Sequence, residues 1–360
     1  MAVLAWLAGC RPQLAEPAPA LVSAPASVSA PSASSAPSSG VATGLACTDG
    51  RILFTSERTG HRQIFEMCPD GSRVERRFTS ASNDHVAAVS PSGTLAVLSI
   101  TGNGGEPGYR EKLQLFDGSL HALGEGRARL RNPSFLSGGR ALVIEADVGG
   151  MSNLARLTEN GRLEVLTRDE HGAFEPTVAP DGKTLAFVSS RDGDAEIYRM
   201  SVGGTELLRL TRSRGDDTAP CFSPDGERIA FSSSRRGAVR IHVMNADGSR
   251  PRVLDQEEVL GETEATWSPD GRSLAYIAVR ASSASLRIVN ARDGSLLVED
   301  RGAFRDETPS FSPDGRWVVF ASNRDGDVEL YAIPSSGGAV TRVTRSPGVD
   351  FLPRWLPAGK

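Results

Sequence analysis

Residues 221–231 read CFSPDGERIAF, and the turn SPDG inside this stretch returns at Ser268–Gly271 and Ser312–Gly315. Pro sets φ at the second turn position, Asp suits the third, and Gly supplies the positive φ that closes a hairpin. Pro91, Pro180, Pro224, Pro269 and Pro313, with Gly182, Gly226, Gly271 and Gly315, are therefore structural turn residues. Sliding the Pro marker along the chain and accepting degenerate copies gives Thr48, Pro91, Ser137, Pro180, Pro224, Pro269, Pro313 and Pro357. The intervals are 43, 46, 43, 44, 45, 44 and 44 residues, the period of a four-stranded propeller blade.

Each unit has four strand signals. An aromatic stands two residues before the marker (Phe135, Phe222, Trp267, Phe311, Trp355) and a Pro four before it (Pro133, Pro176, Pro220, Pro309, Pro353). After the turn come short apolar runs such as TLAFVSS and WVVFASN, then a polar hairpin, a third strand such as LYAI, and a short outer strand such as VTRVT. A single unit is apolar on both faces, so it must stack on its neighbours around an axis. The chain enters the repeat with three strands of a unit and leaves with one, DFLPRWL, which predicts an all-β, seven-bladed propeller closed by the carboxyl-terminal strand. Six blades, with SFLSGGRALVIEADVGG (134–150) miscounted, or eight, are the alternatives.

The phrases DTAPCFSPDGERIAFSSSR (217–235) and DETPSFSPDGRWVVFASNRDGDVELYAI (306–333) resemble the WD40-like propeller repeat of TolB-type periplasmic proteins, and the likeness runs from Thr48 to Pro357. The resemblance implies the fold; it leaves function open, because similar repeats serve peptidase-associated propellers, sugar lyases and binding proteins. TolB itself has an α/β domain before its propeller, where this chain has a low-complexity stretch.

The amino terminus carries its own message. Leu7-Ala8-Gly9-Cys10 resembles the lipobox of bacterial lipoproteins, which implies a signal segment over 1–9, incomplete for want of a basic start, and lipidation of Cys10. Residues 11–46 contain 10 Ala, 8 Ser and 6 Pro, too little bulky apolar surface to fold, so 10–46 is expected to be the lipidated Cys and a disordered tether before a propeller over 47–357. No stretch approaches the roughly 20 apolar residues of a membrane span. Cys221 lies in a strand pattern and is expected to be a buried thiol, and Cys47 and Cys68 remain as a candidate disulfide. With a net charge of −4, nucleic acid is not an expected partner.

Catalytic motifs such as Gly-x-Ser-x-Gly, His-Glu-x-x-His or a phosphate loop do not occur. His61, His85, His121, His171 and His242 are read as loop or surface residues, with His85 and His171 nearest the channel mouth; neither metal nor cofactor is expected, and convergence of these histidines would argue for a lyase. RDGDAE (191–196) and RDGDVE (324–329) lack calcium-loop spacing and read as polar hairpins. Seven residues before the marker stand Asp84, Asp217, Glu262, Asp306 and Asp350, with Leu130 and Ala173 breaking the series. These carboxylates stand where the chain begins its innermost strand. They serve either as hydrogen-bond acceptors between blades or as an acidic rim that binds a partner. The expected protein is a lipid-anchored, monomeric, non-enzymatic propeller that binds a protein or peptide in the bacterial periplasm or at the cell surface. A propeller lyase or hydrolase with a site at the channel mouth is the alternative.

Overall fold

A computed structural model describes residues 45–101, 110–123, 129–254 and 259–356. Cys10, the signal segment, nearly all of the tether and Pro357 lie outside the described residues. Seven four-stranded antiparallel sheets follow one another along the chain, and in the first the strand order runs from Asp350–Leu356 to Arg51–Ser56, Gln63–Met67 and Glu75–Arg76. The carboxyl-terminal strand thus completes blade 1. Its register, Arg51 opposite Leu356 and Ser56 opposite Asp350, zips the two ends of the fold together. Blades 2 to 7 start with inner strands Asn83–Val89, Leu130–Phe135, Ala173–Val178, Asp217–Phe222, Gly261–Trp267 and Asp306–Phe311.

The core lies between sheets. Ile52 and Phe54 of blade 1 pack with Val319, Ala321 and Leu330 of blade 7, and Ala230 and Ile241 of blade 5 pack with Leu274 and Tyr276 of blade 6. Each fully buried side chain of this size contributes on the order of 1.5–3 kcal/mol, which no single blade collects alone. The SPDG turns adopt the expected form: Gly226 has φ +73° and its N–H meets Ser223 O at 2.8 Å, while Asp225 Oδ1 accepts the Glu227 N–H at 3.0 Å.

One element of the inner strand was not read from sequence. Asn132, Glu175, Ala219, Glu264, Thr308 and Leu352, each five residues before a marker, have φ between +45° and +61°, and the pairing register slips there. In five of these six blades the next residue is the repeated Pro, which a ladder tolerates only at a bulge or edge. At three of these bulges, Glu175, Ala219 and Thr308, the N–H reaches the preceding blade, and the carboxylates of Glu175 and Glu264 reach the next one. Cys47 and Cys68 are joined by a disulfide, with Cα atoms 4.7 Å apart.

Candidate functional site: the connection face

In an antiparallel meander the start of the innermost strand, the hairpin between strands two and three, and the connection to the next blade share one end. The SPDG turns occupy the other. The first end, here called the connection face, carries the five carboxylates of the repeat series, and all five are 0% exposed.

Their partners explain the burial. Asp217, Asp306 and Asp350 pair with Arg235, Arg324 and Arg58 at 2.7, 2.9 and 2.8 Å. Each Arg stands two residues beyond its blade's second strand, and its Nε donates to the last Ser of that strand: Ser233 at 2.7 Å, Ser322 at 3.1 Å and Ser56 at 2.8 Å. Its guanidinium lies over an aromatic ring, Phe231 at 5.4 Å, Tyr331 at 4.6 Å and Phe65 at 4.8 Å. A flat, permanently charged guanidinium suits this double duty of forked donor and stacking plane. Blade 4, where Ala173 breaks the series, recruits Asp169 from the preceding connection to hold Arg191 at 2.8 Å. Glu262 and Asp306 also accept main-chain N–H groups of the preceding blade, Ile241 at 2.8 Å and Leu286 at 3.0 Å, and Asp84 accepts from Gln63 at 3.3 Å and from Ser80. Burial pushes the Asp306 carboxyl up to about 6, against the pull of the Leu286 N–H, and raises Asp84 and Asp350 as well. Of the two roles open to these carboxylates from sequence, burial speaks for the hydrogen-bonding one and against an acidic rim, since none of the five has accessible surface.

The RDGD hairpins are bound to the scaffold in the same way. Asp192 accepts the Tyr198 hydroxyl at 2.5 Å and Asp325 the Tyr331 hydroxyl at 2.8 Å. Glu196, 0% exposed, takes Arg209 at 2.9 Å, the Ser213 N–H at 2.8 Å and the Thr211 hydroxyl at 2.5 Å. Glu329 does the same with Arg342 at 2.9 Å, the Ser346 N–H at 2.8 Å and the Thr344 hydroxyl. Asp192, Glu196, Asp325 and Glu329 thus hold protein donors, as a polar hairpin requires.

Between blades 4 and 5 these bonds lock three loops into one platform. Asp194 accepts the Gly215 N–H at 3.0 Å, Asp216 accepts Ala195 N–H at 3.0 Å, and Asp216 and Ser234 exchange two bonds of 2.8 and 2.9 Å. Gly215 sits at φ +94°, and a Cβ there would meet Ser234 Oγ at 2.7 Å, so the close approach requires glycine. Arg212, Arg214 and Arg236 project from this platform, all exposed.

At the bulges, main-chain N–H groups of one inner strand bond to carboxylates of the preceding blade. Glu175 Oε2 accepts the Ala219 N–H at 2.7 Å, Glu145 Oε1 accepts the Glu175 N–H at 2.6 Å, and Glu264 accepts the Thr308 N–H. Burial pushes Glu175 up to about 8, the Ala219 N–H opposes this, and the neighbouring Glu145 adds to it. Cys221 is half-buried rather than fully buried. His85 is fully buried beside the Phe351 ring at 6.2 Å, and desolvation lowers it to about 3. His242 is buried against Phe231 and lowered to about 4, again by desolvation. These two positions correct the reading of all five histidines as loop or surface residues: both lie on strands whose side chains are packed. His61 contacts Ser80 O at 3.2 Å, while His121 and His171 are exposed. Among the described residues the one group of three metal-capable side chains is Cys47, Cys68 and Asp70, and its sulfurs are already bonded to each other.

Residues 165–299 and 240–360, together more than half of the chain, match the family described as the TolB beta propeller domain. A TolB homolog of Chlorobium luteolum is 29% identical over 154 residues, which are 42% of this chain and 34% of that protein. The match spans about a third of that relative. TolB from Acinetobacter baumannii superposes with a TM-score of 0.53 at 20% identity, covering 87% of this chain and 68% of the other. An oligogalacturonate lyase in complex with manganese gives 0.59 at 16% identity, covering 82% and 86%. At such identities the two solved structures share a fold and nothing more is read from them. With seven blades, a ring closed by the last strand and the repeat matched over more than half its length, this chain belongs to the TolB-type β-propeller family.

Proposed function

We propose that this chain is a non-enzymatic binding propeller of the bacterial envelope that holds a protein or peptide partner on its connection face. Cys10 carries the lipid and residues 10–46 form the tether. Among the described residues no helix is long and apolar enough to cross a membrane, and the Leu7-Ala8-Gly9-Cys10 stretch is what supports attachment at Cys10. The observation that carries the reading is the state of the connection face. Buried carboxylates and the Asp194 and Asp216 side chains fix its loops to the blades and to one another, and a loop face already fixed binds at lower entropic cost. The disulfide fits an oxidising compartment, and the relatives named TolB fit the envelope.

The test is photo-crosslinking in intact cells. A photoreactive residue at Gly237 or Asp327, exposed on the connection face, should give a discrete protein adduct; at Lys183 or Glu227, exposed on the turn face, it should not. Adducts from the turn face alone, or from neither face, overturn the reading. Anchoring is tested separately: Cys10→Ala should move the protein from the membrane to the soluble fraction.

A further inference from the structure

We propose that Arg212, Arg214 and Arg236 form a docking site for a carboxylate-rich segment of a protein, a proposal that rests on the partner-binding reading above. The three project from two loops that are hydrogen-bonded to each other through Asp216 and Ser234. Neutralisation from within is what such a cluster normally meets, since this stretch is rich in acids. Here the acids of this stretch are turned to other donors and none forms an ion pair with the three: Asp192 holds Tyr198 and Arg209, Asp194 the Gly215 N–H, Glu196 Arg209, Ser213 and Thr211, Asp216 the Ala195 N–H, and Asp217 Arg235. No ion pair to Arg212, Arg214 or Arg236 occurs among the described residues. The result is three outward forks on a preorganised base, the donor geometry that carboxylates accept.

The chemistry favours an acidic peptide over a bilayer or a long polyanion. Those ligands are gathered by long-range attraction over a whole surface, and this chain has a net charge of −4. A short acidic segment needs only the local cluster. Arg212 and Arg214 are two residues apart, and Arg236 stands on the neighbouring hairpin, so charges on an extended segment crossing the two loops meet all three.

The experiment uses the propeller with its disulfide intact and a fluorescein-labelled peptide of alternating Glu and Gly, read by anisotropy. Binding at about 0.02 M salt should weaken steeply at about 0.3 M, as the Debye length shortens. Combined Arg212→Gln, Arg214→Gln and Arg236→Gln should reduce affinity about tenfold or more, with kon falling most, while Arg345→Gln, the isolated equivalent arginine, changes it less than about twofold. Thermal unfolding of the triple variant should match the parent, because the side chains are exposed. Equal losses in the triple and Arg345→Gln variants, unchanged binding in the triple variant, or no binding by the parent overturn the site. So does binding of phosphatidylglycerol vesicles in place of the peptide. An envelope protein crosslinked equally well to the parent and the triple variant would also remove the arginine site and leave the binding reading in place.

Discussion

The junctions between blades 4 and 5 and between blades 7 and 1 are near copies: residues 208–217 read LRLTRSRGDD and residues 341–350 read TRVTRSPGVD. Arg209 and Arg342, Thr211 and Thr344, Ser213 and Ser346, Asp217 and Asp350 make the same bonds at the same places. Gly348, like Gly215, admits the following hairpin: a Cβ there would meet Arg58 N at 2.9 Å. Differences gather outside this shared set of bonds. Pro347 replaces Arg214, Val349 replaces Asp216, and Thr59 stands where the next hairpin otherwise carries Arg236. One set of bonds therefore builds both joints, and the positions outside that shared set vary, Asp216 adding a bond to the Ala195 N–H that Val349 lacks. The second difference is covalent, since the 7–1 junction joins the two ends of the fold and the 4–5 junction joins consecutive blades.

That covalent difference makes the largest effect. Removing Asp350–Lys360 takes the inner strand from blade 1 and exposes two neighbours. Cooperative thermal unfolding should disappear, and a truncated protein melting within a few degrees of the parent would mean that the ring does not depend on its 7–1 closure. Next in size, Glu196→Ala and Glu329→Ala each strand a guanidinium, a hydroxyl and an amide that shared one carboxylate. Each should lose about 3 kcal/mol in chemical denaturation, and by similar amounts. If only one proves costly, the two junctions are not energetic equivalents.

A third test separates the junctions by pH. The axis side of the 4–5 junction uses Glu175, whereas the same place in blade 7 is Thr308. Glu175 is raised to about 8 in the fold from an ordinary 4.5, so the folded state holds the extra proton. Its contribution is complete below about 4.5 and is lost as pH rises through 8. Glu175→Gln keeps an acceptor for the Ala219 N–H without the charge, and should flatten the fall in melting temperature between about pH 4.5 and 8 while leaving the slope above about pH 8 unchanged. An unchanged pH profile would show that this carboxyl is not held protonated. The buried histidines act in the opposite direction. His85 and His242, lowered to about 3 and about 4 from 6.5, give stability that is complete above 6.5 and lost as pH falls through those values.

The smallest effect on stability tests recognition. Thr59→Arg with Pro347→Arg would write the arginine pattern of the 4–5 junction onto the 7–1 junction, beside Arg345. Stability should change by no more than about 0.5 kcal/mol, as is usual for surface positions. The bound Glu-Gly peptide should rise from one to two equivalents in titration; a stoichiometry that stays at one would show that the three arginines need a platform the other junction lacks.

Blade number, closure and the SPDG turn were legible because each repeats at fixed spacing and rests on local backbone rules. The fate of the carboxylates was not, because an Asp at the start of a strand looks the same whether it faces water or an arginine. The distinguishing signal lies 18 residues on: Asp217 precedes Arg235 and Asp306 precedes Arg324 by the same step, with Ser two residues before each Arg. A similar step of 13 joins Glu196 to Arg209 and Glu329 to Arg342. Without the paired bases, the acids alone left scaffold and rim as alternative readings. The left-handed bulge had a signal too, since a Pro within a strand marks the place where the ladder breaks. Contact between blades is what assigns these residues, and it follows from ring closure rather than from any short window of sequence.

The disulfide has a mechanical meaning. The first strand, Arg51–Ser56, lies between the closing strand and Gln63–Met67, and Cys47 is bonded to Cys68, immediately after that third partner. Tension applied to the chain ahead of Cys47 divides at the sulfur bridge and passes directly into the strand on the far side. The hydrogen bonds between Arg51–Ser56 and Asp350–Leu356, the seam that closes the ring, are thereby relieved of part of the load. A pull from the amino-terminal side is carried in part by covalent bonds into the body of blade 1, and the seam is harder to peel open.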